Sequence, residues 1–594
     1  MSGLEVPAFV IGLSGLAAMV DKTLLLFQSL EESKSFGETM ATITRKINWE
    51  FYRFWAWARA SGAFGNQSGV VTRTKPEPRN QGQPGIPADN LLRAPIEDTV
   101  VQIINLLEEI CNITAKYRPR EARKPSTTAT KSAQAPSIAL GLSTPLPLLG
   151  VRHNQAVLVA STERQGRIDF IQRQVPFRLR VSFNAKAWGD TDKSLLEEKM
   201  KELTYCNDRL ESILPSRIRE SLDSQGRAAQ ILAYDDMETL EILKEAAKDK
   251  NEGVRTHARL WEERIEFAGK WQSQRHVDVD KYRGKAAALT ESPGLLQSKS
   301  CLSLQLLNAS SSSGPTPVAV EWHSYDSLGW SVDDIIIARA RLAELVHLSR
   351  MNGRPQSLRL LNTVCFVERD QSLALVYELP ENTSPTAQPV SLHQLIIGDV
   401  RTFRRPNLEQ RHQLARSLAS ALYSFGLVRW FHKDFNSHNV AFFPAPLTGA
   451  VSIEQPFVVG LSFSRPDSTQ EKSLNKDLDE LEVYLHPDLR VKQGAARPQY
   501  KRAYDIYSLG LVLYEIGVWK PIVKAIGTSG ATMNPETFKK TVVDRCTKDL
   551  GFFAGSKYRD ITLYCLTCGD DKSNQASSLD RLYWEVVLEL AKLC

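Results

Sequence analysis

Phe431-His432-Lys433-Asp434-Phe435-Asn436-Ser437-His438-Asn439-Val440 is the stretch on which the reading of the chain turns. It sets a histidine, an acid and an amide at fixed intervals, with Asn439 five residues after Asp434. Ahead of it lie short strand-type runs at 301–307, at Val318-Ala319-Val320-Glu321-Trp322, at 362–368 and at 373–378. Helical patterns at 332–350 and beyond 408 surround those runs. A mostly β segment followed by a mostly helical one predicts a two-lobed α+β unit over about 296–594.

The loop resembles the protein-kinase catalytic loop, in which His-Arg-Asp is followed at this spacing by Asn. Two further segments, in the right order, carry the same resemblance. Downstream, Tyr504-Asp505-Ile506-Tyr507-Ser508-Leu509-Gly510 is similar to the kinase helix whose Asp braces the catalytic loop; upstream, Leu373 to Pro380 resembles the fifth strand and hinge. The resemblance implies Asp434 as the base that receives the substrate hydroxyl proton, Asn439 as a magnesium ligand and His432 as the opening of the motif. It also implies Asp505 as a structural brace, and Glu378 and Leu379 as the hinge where an adenine of ATP meets backbone.

The departures are as informative. Kinase chemistry rests on positioning and charge neutralisation, so it needs a cation on the phosphates and a carboxylate on magnesium. Where the family has Val-Ala-Ile-Lys this chain has Val318-Ala319-Val320-Glu321, a reversed charge, and His323 is a poor substitute. Glu344, on the next helix, is either the family's ion-pair partner deprived of its lysine or a solvated helix glutamate. The segment expected to hold Asp-Phe-Gly reads Phe457-Val458-Val459-Gly460-Leu461-Ser462-Phe463-Ser464-Arg465, without an acid, and Asp467 lies too far along. No glycine-rich loop precedes Val318, since Ser310 to Gly314 is only a turn. Losing phosphate neutralisation and one metal ligand removes on the order of several kcal/mol each from transition-state stabilisation. The expectation is a pseudokinase: Asp434 and Asn439 persist as fold-stabilising groups, the departures argue against ATP and Mg²⁺ as working ligands, and no resident metal is expected.

The rest of the chain is read from composition and period. Its 594 residues, 42% hydrophobic and 24% charged, suit two to four globular domains. A net charge of +6 spread over that length gives no nucleic-acid signature. Eight scattered cysteines read as reduced thiols; Cys565 and Cys568 form a lone Cys-x-x-Cys, a zinc or redox motif in one reading and helix-packing thiols in the default one. No signal peptide is expected, and the apolar run Val6 to Val20 is too short to span a bilayer as a helix. Helices are predicted over 6–34, along the face Phe36, Met40, Ile43, Ile47, Phe51, Phe54, Trp57, and along Ile96, Val100, Ile103, Leu107, Ile110. Residues 62–90 read as a loop, and about 118–160 as a long disordered one. Helix returns at Leu196, Met200, Leu203, Leu210 and Ile213, with Ser194 and Glu197 spaced as a capping box, and again over 226–250. The expected domains are an all-α bundle over 1–245, a helical brace or linker over 246–295 and the α+β unit over 296–594.

The opening helix, Ser35-Phe36-Gly37, the helix ending Phe54-Trp55-Ala56-Trp57-Ala58 and the segment Pro176-Phe177-Arg178-Leu179-Arg180 resemble the fungal HeLo domain of heterokaryon-incompatibility and prion-inhibition proteins. The pairing with a degenerate kinase fold is similar to the mixed lineage kinase domain-like protein. The resemblance implies a cytoplasmic cell-death effector, recruited to the plasma membrane on activation, that self-associates, answers to an upstream signalling protein or receptor and contacts membrane lipids. The run Val6 to Val20 is then either lipid-entering or the core helix of the bundle. An active unconventional Ser/Thr kinase using ATP and Mg²⁺, and a non-enzymatic adaptor, are the alternatives.

Overall fold

The computed structural model of the chain describes residues 23, 38–61, 90–115, 190–222, 252–273, 279–291, 302–308, 314–325, 330–398, 405–466, 480–490, 498–527, 533–568 and 578–594. The Val6 to Val20 run, the loops at 62–89 and 118–160, the 176–180 segment, the 226–250 helix and Asp467 lie outside the described residues. Contacts divide the chain into two compact units, Met1–Pro215 and Ser216–Cys594. The chain is thus multidomain, helical first and α+β second.

In the first unit, α1 (Glu38–Ala60), α2 (Asn90–Ala115) and α3 (Asp190–Ser212) are amphipathic helices, and α3 packs against both others. The three- and four-residue spacing of apolar side chains puts Ile47, Phe51, Phe54 and Trp57 of α1, all five expected positions of α2, and Leu196, Met200, Leu203 and Leu210 of α3 in the core. The expected capping box is corrected: α3 begins at Asp190, so Ser194 sits inside the helix and not at its N-cap. Between α1 and α3 the buried Arg53 forms a two-pronged pair with Glu211 (3.0 and 2.9 Å) and bonds Glu50 and Asp208. Glu50 in turn accepts from Thr204 and Asn207, both at 2.8 Å. Such a network fixes the register of two helices through direction, where apolar contact alone permits sliding.

In the second unit, α4 (Glu252–Ser273) precedes an antiparallel sheet of β1 (Leu289–Glu291), β2 (Leu302–Leu307), β3 (Thr316–Ser324), β4 (Thr363–Arg369) and β5 (Ser372–Glu378), in the order β1-β2-β3-β5-β4. The four strand runs expected from sequence are all present. The sheet nevertheless starts earlier than residue 296, because β1 falls in the stretch read as helical brace. Three residues carry too short an alternation to be seen without their partner, Gln305 to Leu307. Leu289, Val318, Val320, Val367, Ala374 and Val376 form one core cluster of the sheet.

Helix α5 (Val332–Ser349) lies against β4, and its start is fixed by a capping box in which Ser331 and Asp334 bond each other's backbone. Beyond the sheet, α6 (Leu408–Leu427) and α7 (Arg502–Val518) pack together, with α7 also against Ser556–Thr567. Helix α7 is buried along nearly all its length, as a helix with apolar residues around its whole circumference must be.

Candidate functional site

Short antiparallel pairs hold the 431–440 loop at both ends. Trp430–Phe431 pairs with Arg465–Pro466, and Val440–Phe442 pairs with Val390–Ser391 and with Phe457–Val458. Between them the chain turns through Lys433 at φ +69°, a left-handed conformation that costs a non-glycine residue about 1–3 kcal/mol. The fully buried Asp505, in the first turn of α7, offsets that cost. Its carboxylate accepts from the N–H of His432 (3.1 Å), the N–H of Lys433 (2.9 Å) and the hydroxyl of Tyr500 (2.8 Å). Burial and the adjacent Asp505 push the Tyr500 hydroxyl well above the ordinary tyrosine range.

His432 is fully buried and uses both ring nitrogens. Nδ1 accepts from the N–H of Asp434 (3.2 Å), which leaves Nε2–H to donate to the carbonyl of Val459 (3.0 Å). The ring is therefore a neutral structural pin. Asn436 folds back on the same turn: its amide donates to the carbonyl and carboxylate of Asp434, and its oxygen caps His438 and Asn439. Asn439 is buried and spends its amide on the carbonyl of Asp434 (2.8 Å). Gly460, at φ +81°, packs directly on it, so that a Cβ there would lie 2.3 Å from the Asn439 side chain. Asp434 and Asn439 are thus brought together, with Asp505 bonded to the two residues before Asp434, while Glu378 ends β5 and Leu379 follows it. Glu378 is exposed; its N–H donates to Asn362 (2.8 Å) and its carboxylate accepts from the Asn362 amide (3.1 Å), while Leu379 is half-buried.

Glu321, in the middle of β3, is almost fully buried. Its Oε2 accepts from the N–H of Gly460 (2.9 Å) and the hydroxyl of Tyr377 (2.9 Å), and its Oε1 from the hydroxyl of Ser462 (3.1 Å). Burial raises its pKa, and the donors at Gly460, Tyr377 and Ser462 pull the other way. The Gly460-Leu461-Ser462 turn is therefore bonded to the sheet through this acid. Nearby, the His323 ring stands edge-on to Phe463 at 4.1 Å. A second tie reaches the sheet at β2, where Gln388 accepts from the N–H of Leu304 (3.1 Å).

Glu344 corrects the solvated alternative offered for it. It is not solvated but buried, and its cation is no strand lysine: it pairs at 2.9 Å with Arg264 of α4. Sequence reasoning missed Arg264, which sits in a charged helical stretch with nothing to set it apart, and Tyr377, which reads as an ordinary strand residue. It also missed Ser437, Tyr484 and Glu515. Those three are linked beneath the loop: the Tyr484 hydroxyl meets Ser437 at 2.9 Å and donates to Glu515 at 2.7 Å, and burial pushes the Glu515 carboxyl up to about 7. Among the described residues no three His, Cys, Asp or Glu side chains gather as a metal site. Cys565 is a buried free thiol, and Cys568 donates to its carbonyl. Among the described residues no helix is long and apolar enough to cross a membrane.

The HeLo family model, described as prion-inhibition and propagation, matches residues 8–243. All three described helices of the first unit fall inside that match. No curated protein matches the chain.

Proposed function

We propose that the chain is a signalling effector of the fungal cell-death and incompatibility type, in which a protein-kinase-like domain without phosphotransfer governs a HeLo helical bundle. The HeLo match over 8–243 supports the effector half. For the second half, support comes from the set of relations around the loop: a five-stranded antiparallel sheet, a helix bearing a buried glutamate against it, and a loop whose Asp434 and Asn439 rest on a buried Asp505.

The observation that carries the absence of phosphotransfer is Glu321. On the kinase-like reading, its position on β3 is where phosphates need a cation, and an acid occupies it, satisfied by three donors of the same chain. The Phe457–Arg465 stretch offers magnesium no carboxylate. The residues do not fit a magnesium–nucleotide complex. Asp434 and Asn439 act as turn-forming groups, and the domain works by its shape and contacts. The bundle it governs self-associates and meets the cytoplasmic face of the plasma membrane when an upstream partner releases it.

A thermal-shift measurement on the full chain with ATP, with and without Mg²⁺, tests this. No shift is expected. Magnesium-dependent protection by ATP, together with phosphate incorporation abolished by Asp434→Asn, would establish a working unconventional kinase instead. Sedimentation with anionic liposomes tests the effector half, and a chain that ignores them even after its partner has bound would be an adaptor.

A further inference from the structure

Helix α4 is held to the rest of the second unit by an unusual proportion of charge. Among its described side chains, His257, Glu262 and Arg264 are buried alongside Ala258, Leu260, Trp261 and Phe267. Contacts of that mixed kind are typical of parts that separate and reseat, whereas permanent cores are more uniformly apolar. Arg264 is the hub. Its Nε donates to Glu344 of α5 (2.9 Å), and its Nη1 donates to the carbonyls of Val428 (2.7 Å) and Arg429 (2.8 Å), the two residues before the strand that opens the 431–440 loop. The guanidinium lies between Trp261 and Trp430, about equally close to both (5.2 and 5.3 Å to the ring centroids). One side chain of α4 therefore touches both the helix that packs on the sheet and the entry to the candidate site.

Two further contacts extend this joint. Glu263 meets His347 Nε2 at 3.1 Å, with Tyr282 on the other ring nitrogen at 3.1 Å, and Arg259 donates to the carbonyl of Asn352. Along the chain, the HeLo match ends at residue 243 and α4 begins at Glu252.

We propose that α4 is a displaceable strap with Arg264 as its pin: seated, it fixes α5 through Glu344 and the 428–440 entry through two carbonyls; unseated, it loosens both at once. The inference deepens the regulatory reading above and rests on it for the meaning of the 431–440 loop, while the strap itself rests on the Arg264 contacts. A planar fork that reaches a carboxylate and two carbonyls is a role for arginine that lysine, a point charge, fills only in part.

Hydrogen–deuterium exchange on the full chain tests it. Arg264→Met is expected to speed exchange about a hundredfold in 252–273, 341–349 and 428–439 while leaving 502–518 unchanged, and Arg264→Lys to give a smaller effect over the same three segments. Acceleration confined to 252–273 would overturn the proposal, because the strap would then transmit nothing. Equal acceleration in 502–518 would also overturn it, because Arg264 would then be a plain core residue. If Arg264→Met does not fold, the pattern in Arg264→Lys decides by the same criterion. Protection by ATP in the thermal-shift assay would sink the phosphotransfer-free reading and leave the exchange result standing, so the two failures are distinguishable.

Discussion

Replacing Glu321 by Ala removes the acceptor that joins β3 to the Gly460-Leu461-Ser462 turn. The Gly460 N–H and the Ser462 hydroxyl lose their bonds at 2.9 and 3.1 Å, and the Tyr377 hydroxyl loses one at 2.9 Å. Each buried donor so exposed costs about 1–3 kcal/mol, and the relief of burying a carboxylate returns part of it, so a net loss of about 3–5 kcal/mol is expected. For a unit spanning Ser216–Cys594 the unfolding entropy is roughly 0.8 kcal/mol per kelvin, which turns 4 kcal/mol into a Tm about 5 °C lower. Differential scanning calorimetry of the full chain reads that shift in the transition of the second unit. Glu321→Lys separates the competing readings, since it restores the kinase-type cation while turning an ammonium toward three donors. It should lower Tm at least as far as Ala does and confer no protection by ATP. A Glu321→Lys chain with an unchanged Tm and magnesium-dependent ATP protection would refute the reasoning, because the site would then be a vacant kinase cleft and not a bonded joint.

Asp505→Asn keeps shape but turns one acceptor into a donor against the N–H groups of His432 and Lys433; a loss of about 2–4 kcal/mol in denaturant unfolding is expected, and an unchanged midpoint would show that Lys433 needs no brace. Glu515, with its carboxyl up to about 7, is protonated more readily folded than unfolded. Its contribution is complete below about pH 4.5 and lost as pH rises through about 7, a difference on the order of 3 kcal/mol, so Glu515→Gln should flatten stability over that window. His438 has the opposite sign. Burial, and then the His393 ring stacked at 3.9 Å, lower its pKa to about 4 against an opposing effect of Asp434, so its contribution is complete above about pH 6.5 and is lost as pH falls toward 4. The two slopes oppose each other between about pH 4.5 and 6.5, and the stability of His438→Asn measured by equilibrium unfolding should rise with acidity there while the parent stays nearly level; parallel curves would contradict both assignments.

Long periodic elements were legible from sequence because burial imposes the period directly. The α2 face Ile96, Val100, Ile103, Leu107, Ile110 is buried at every position, and the strand runs at 301–307, 318–322, 362–368 and 373–378 became β2, β3, β4 and β5. Asp505, expected as a structural brace, accepts from the N–H groups of His432 and Lys433. What the sequence hid depends on pairs far apart in the chain. Ser194 satisfied the spacing of a capping box, yet α3 runs past it from Asp190, because the local motif competes with a whole helical face. Glu344 looked unpartnered because Arg264 lies 80 residues away, in a helix whose other charges are equally plausible surface groups.

The two acids, Glu321 and Glu344, explain each other. In the kinase pattern one lysine on the third strand binds the glutamate of the neighbouring helix, and nucleotide phosphates share that cation, so ligand and helix position are coupled. Here β3 carries an acid, which cannot serve Glu344 as a cation. Each acid has instead acquired its own donors: Glu321 from the Gly460–Ser462 turn and Tyr377, Glu344 from Arg264. The position of α5 is thereby tied to α4 and no longer to β3. On the kinase-like reading proposed above, an acid in place of that cation argues against phosphate binding, and α5 answers instead to α4. On that reading the absence of phosphotransfer and the tie between α5 and α4 belong to one arrangement, in which Glu321 holds the Gly460–Ser462 turn and Glu344 holds Arg264.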